Sequence, residues 1–186
     1  MKMKSSLVFA VFAASAVLSA AVPTPKSIHG WNTWQRPNEG GKFERIKPSA
    51  ELPQGAMKFL PDPGKKRYGI QWYKALPATQ TDHLRFIFTF QSAPDTNADV
   101  TVILKMQAQK QTGAWYNQPL KALAPVSVTV EPGKTQEIAL EVDLGKYELP
   151  EMKFLCPMIA LNNLTAGSVT FTGLKVEPVD AASAQE

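Results

Sequence analysis

"DHLRFIFTFQ", residues 82–91, decides the architecture of this chain. Leu84, Phe86, Phe88 and Phe90 take alternate positions, so in an extended chain they share one face. His83, Arg85, Ile87, Thr89 and Gln91 share the other. A helix would scatter the four apolar side chains around its circumference, whereas a strand with one wet face collects them. The same period of two recurs downstream. Val100, Val102, Leu104 and Met106 alternate in "ADVTVILKMQAQ", with Thr101, Lys105, Gln107 and Gln109 opposite. Val126, Val128 and Val130 alternate in "PVSVTV", and Ile138, Leu140, Val142 and Leu144 in "EIALEVDL".

Two further runs refine the picture. "KFLCPMIAL", residues 153–161, is apolar on both faces, as a central strand requires, yet Pro157 there calls for a bulge or an edge position. "SVTFTGLKVEPV", residues 168–179, changes phase between Phe171 and Leu174. A one-residue bulge at Thr172-Gly173 would return Val169, Phe171, Leu174 and Val176 to one side. Pro- and Gly-bearing turns such as "LPDPGKK", "SAPDTN", "KQTGAWYNQP", "VEPGK" and "NNLTAG" separate the runs. Many strands, such turns and no helical pattern predict an all-β, two-sheet antiparallel β-sandwich or jelly roll.

The ends read differently. Lys2 and Lys4 precede an apolar run from Leu7 to Leu18, and Ser19-Ala20-Ala21 follows with small residues. That is the pattern of a secretory signal peptide over 1–21, cut after Ala21, and the run is too short for a membrane span. It predicts a secreted or periplasmic protein with one sandwich domain over 22–180 and a loose polar tail over 181–186. Without the two leader lysines the formal net charge falls from +4 to +2. So weak a charge gives no reason to expect nucleic acid as a partner, and Lys65-Lys66-Arg67 reads as a solvated hairpin tip. A single cysteine excludes an internal disulfide; Cys156, among apolar neighbours, reads as a buried inert thiol.

Catalytic patterns are missing from the sequence. It has no Gly-x-Ser-x-Gly elbow, no phosphate loop and no metal-spaced His/Cys set, and His29 and His83 are isolated. Glu137, Glu141 and Asp143 read as a solvated strand face. A binding protein rather than an enzyme is the expectation.

Trp115 and Tyr116 stand side by side on a turn, among Gln111, Gly113, Asn117, Gln118 and Pro119. Flat rings on a loop either plug a core or meet something outside. Sugars present C–H faces to rings and hydroxyl edges to amides and guanidinium groups. Arg85, Gln107, Gln109, Gln71 and Tyr73 lie on the polar parity of their strands and would supply such edges beside Trp115 and Tyr116. Trp31 and Trp34 are three apart and so face opposite ways in a strand, which puts at least one of them in the core.

From about Trp31 to Glu177 the order of features resembles the jelly-roll carbohydrate-binding modules of the galactose-binding-like, CenC-type superfamily. The likeness runs through "GWNTWQRPNEGGKFE", "GAMKFLPDPGKKRYGIQWYKALPA" (similar to the family's paired second and third strands), "HLRFIFTFQSA", "VSVTVEPGKTQEIALEVDL" and "AGSVTFTGLKVEP". The resemblance implies non-catalytic binding of a poly- or oligosaccharide, with a separate secreted glycoside hydrolase or surface protein as a possible companion. It departs from the family at Thr172-Gly173, where an acidic pair often serves a structural calcium site, so no cofactor is expected and calcium is in doubt. The alternative is a structural or protein-interaction sandwich of the cell surface or periplasm that uses the same fold without a sugar site.

Overall fold

The computed structural model describes residues 22–35, 39–63, 70–79, 82–112 and 119–179. The predicted leader, the Lys65-Lys66-Arg67 run and the tail lie outside them. Among the described residues eleven strands follow one another: β1 (Asn32–Gln35), β2 (Lys42–Ile46), β3 (Ala56–Leu60), β4 (Ile70–Tyr73), β5 (Leu76–Pro77), β6 (His83–Ser92), β7 (Thr101–Gln109), β8 (Lys121–Thr129), β9 (Thr135–Asp143), β10 (Phe154–Asn162) and β11 (Val169–Pro178). A single 3-10 turn, Leu144–Lys146, is the only helical element among the described residues. The strands form two antiparallel sheets. Sheet I has the order β1-β4-β10-β7-β8, with β5 also pairing β10; sheet II has the order β2-β3-β11-β6-β9.

The alternating runs do what their period requires. Leu84, Phe86, Phe88 and Phe90 of β6 are buried with Val102, Leu104 and Met106 of β7 and their neighbours, in one core between the sheets. Trp31 and Trp72 sit at its centre, with ring centroids 4.9 Å apart and tilted. Phe88 and Phe171 pack around them at edge-on or tilted angles. Such contacts add about 0.5–1.5 kcal/mol each to the area they bury.

The bulge in the last strand is present. The β11–β6 register slips between Phe171 and Gly173, and Val169, Phe171, Leu174 and Val176 are all buried. Pro157 resolves differently from either expectation. β10 is central, and Pro157 is paired with Met106 on its β7 side. Its carbonyl accepts from the Lys74 amide at 3.4 Å, so its missing N–H faces the gap between β4 and β5. There the neighbouring strand is interrupted, and no ladder bond is lost.

The strand pairing expected from the resemblance is corrected. β3 and β4 belong to opposite sheets, so they are not paired with each other. β8 and β9 also fall in opposite sheets, as do β10 and β11. Period-two patterning says which face of a strand is buried, not which strand lies beside it.

Candidate functional site

Antiparallel partners project to the same face, so the register lays out the outer surface of sheet I in rows. One row runs Trp34, Gln71, Ala160, Ile103 and Ser127, one residue from each of β1, β4, β10, β7 and β8. On one side of it lie Asn162, Thr101 and Thr129. On the other lie Asn32, Tyr73, Met158 and Lys105, then Cys156, Gln107 and Ala122, and last Pro77, Phe154 and Gln109.

Accessibility divides this surface in two. Around the Trp34 row it is open. Trp34 is 46% exposed, Asn32, Ser127, Asn162 and Thr129 are exposed, and Gln71, Ala160, Ile103 and Lys105 are half-buried. Toward Gln109 it is closed. Tyr73, Cys156 and Met158 form a small buried apolar cluster of their own, with Ala75 and Ala160 packed on it. Gln107 and Gln109 are 3% and 1% exposed, and Gln109 Nε2 donates to Gln107 Oε1 at 3.0 Å.

The residues singled out in the sequence therefore part company. Gln71 is on the open half. Tyr73, Gln107 and Gln109 have the expected outward parity, but they are buried, and the two glutamines bond to each other rather than standing in solvent. Arg85 is exposed but lies on sheet II, where it pairs across from Glu141, so it cannot share a surface with the glutamines. The cause is again the hidden pairing, since β6 and β7 follow each other in sequence but belong to different sheets. Trp115 and Tyr116 lie outside the described residues; they belong to the connection that leaves β7 beyond Gln109 and enters β8 at Lys121.

Sequence reasoning passes over Trp34, although the signal is there. With Trp31 in the core, a spacing of three puts Trp34 on the outside. Lys105 likewise reads from the sequence only as a solvated residue, and it borders the open half.

Burial pushes the Cys156 thiol up to about 12, against a hydrogen bond with Gln109 that pulls the other way. That is an inert thiol, not a nucleophile. No group of three or more His, Cys, Asp or Glu residues could hold a metal ion among the described residues. None of their helices is long and apolar enough to cross a membrane.

No protein-family model matches this chain. No curated protein matches it either. Solved structures do. A CBM4 structure aligns with a TM-score of 0.53 at 14% identity, covering 85% of this chain and 94% of the other. A putative sugar binding protein from Bacteroides thetaiotaomicron aligns with a TM-score of 0.52 at 10% identity, covering 86% and 95%. TmCBM61, solved with β-1,4-galactotriose, aligns with a TM-score of 0.50 at 10% identity, covering 83% and 92%. The chain thus has the jelly-roll β-sandwich fold of carbohydrate-binding modules.

Proposed function

We propose that this chain is an exported, non-catalytic carbohydrate-binding protein, and that its ligand lies along the open half of sheet I. The observation that carries this reading is the exposed Trp34 indole set in register with Gln71. A ring for a C–H face stands beside an amide for hydroxyls. Lys105 borders the same strip, three strands away from Trp34, or about 14 Å at the usual strand spacing. Between them Ala160 and Gln71 form a low floor. The strip thus offers a poly- or oligosaccharide a shallow track, with Trp34 as anchor and Gln71, Asn32 and Lys105 as polar contacts.

The fold agrees with this reading and the leader pattern of residues 1–21 supports export. Trp115 and Tyr116 remain part of the proposal as a second aromatic contribution, from the β7–β8 connection. A structural or protein-interaction role draws support from one observation: Gln107 and Gln109 on the same face are buried and bonded to each other.

Retention on a panel of soluble and insoluble polysaccharides tests the proposal. Wild type is compared with Trp34→Ala and Trp115→Ala. The expected result is retention on at least one glycan, weakened about tenfold or more by Trp34→Ala, since burying a large aromatic is worth about 1.5–3 kcal/mol. No retention on any glycan, or equal retention by Trp34→Ala, overturns the site.

A further inference from the structure

A second concavity lies away from that face. β8 and β9 are edge strands of opposite sheets, and where the sheets part a cleft of about 240 Å³ opens between them. Leu123 of β8 and Leu140 and Val142 of β9 give it an apolar floor at the margin of the core. Tyr147, Asp143 and Lys146 also line it. The 3-10 turn fixes these groups. Asp143 caps it by accepting from the Gly145 amide at 3.1 Å, and its other oxygen holds Lys146 Nζ at 3.2 Å. Lys121 Nζ lies 4.9 Å from the centre of the Tyr147 ring.

Size and charge together narrow the ligand. The volume is below that of a site for a drug-sized molecule, so it suits one ring. Asp143 is paired with Lys146, Glu141 is hydrogen-bonded to His83 at 2.7 Å, and Lys121 lies against the Tyr147 ring. The two carboxylates, Asp143 and Glu141, are balanced in number by the two ammonium groups, Lys146 and Lys121, so the surroundings of the cleft favour an ion of neither sign. Apolar side chains with acceptors and donors held beside them fit a body that is apolar on one face and hydroxylated at its edge.

We propose that this cleft is a second, independent saccharide site that takes a single neutral sugar ring, such as a chain end or side branch. The ring lays its C–H face on Leu123 and Leu140, and its hydroxyls donate to the Asp143 carboxylate and accept from Lys146. It goes beyond the reading of sheet I, because the two sites lie on different surfaces and either can exist without the other.

The test is amide-resolved NMR of the purified protein titrated with free galactose, glucose, mannose, xylose, arabinose or N-acetylglucosamine. At about 100 mM, well above a millimolar Kd, at least one sugar is expected to shift the amides of Leu123, Ala124 and Leu140–Tyr147. Ala124→Trp, which fills the cleft from its rim, should abolish those shifts. Asp143→Asn, which keeps the capping acceptor, should weaken binding fivefold or more. Trp34→Ala should leave the shifts intact, which separates this site from the one on sheet I. No shift at these amides with any of the six sugars overturns the proposal, whatever the variants do. Equal shifts in a folded Ala124→Trp overturn it as well.

Discussion

Gln54 and Leu174 bond to each other as two strand residues would, although 120 residues separate them. The Leu174 amide donates to Gln54 Oε1 at 2.7 Å, and Gln54 Nε2 donates to the Leu174 carbonyl at 2.9 Å. The same Nε2 also donates to the Pro25 carbonyl at 2.7 Å. Pairing between β3 and β11 ends at Phe171, where the bulge begins, and the side-chain amide continues the ladder beyond it. Gln54→Ala leaves these backbone groups without that partner, at about 1–3 kcal/mol for a buried unsatisfied group. Urea unfolding should show a lower midpoint with an unchanged slope.

Gly167 has φ +67°, and a Cβ there would stand 2.5 Å from the Thr96 amide nitrogen. Gly133 has φ +73° but meets nothing nearer than 3.6 Å. The pair separates strain from collision. Gly133→Ala should cost about 1–2 kcal/mol, the left-handed backbone alone. Gly167→Ala should cost clearly more, because the backbone it strikes is held by the bond from Thr96 Oγ1 to the Ser168 carbonyl at 2.9 Å. Thermal or chemical denaturation of both variants checks the ranking.

Cys156 should resist thiol reagents in the native protein and react promptly once it is unfolded. Its folded value of about 12 lies above the ordinary 9.0, so the folded state keeps its proton where the unfolded state has lost it. The associated stability is full below about pH 9 and falls as pH climbs toward 12. Lysines and tyrosines also titrate there, so the measurement compares wild type with Cys156→Ala. Between about pH 8 and 10.5, wild type should lose more stability than the variant.

Arg85→Ala should leave saccharide retention unchanged, because Arg85 lies on the outer surface of sheet II and the proposed track lies on sheet I. The substitution is exposed, so its effect on stability should be within about 0.5 kcal/mol. A loss of retention comparable to that of Trp34→Ala would move the site to the other sheet.

The sandwich was legible because burial on one face imposes a period of two, and β6 carries it over four large side chains. The phase change around Gly173 was legible for the same reason: only an inserted residue reconciles Phe171 with Leu174. Strand neighbours were not legible, because a strand's alternation is the same whichever partner it takes, and Arg85 was misplaced on that account. Gln107 and Gln109 show a second limit. Their parity is outward as read, but an outward side chain is wet only if nothing lies over it. Trp34 was within reach, since its spacing from Trp31 settles its side once one ring is known to be buried.

The order of strands within the sheets has a consequence for how the molecule comes into being. β11, the last strand, is the centre of sheet II, and β10, the one before it, is the centre of sheet I. Until they arrive, β2–β3 and β6–β9 are separate pairs, and β4 has no link to β7. Neither half can close early, so acquisition of structure waits for the stretch that begins at Phe154 and runs through Pro178. Contacts this distant in sequence make for slow, all-or-none assembly. A chain released before β11 is complete would carry two open sheet edges and an unsealed interior, ready to pair with its own kind.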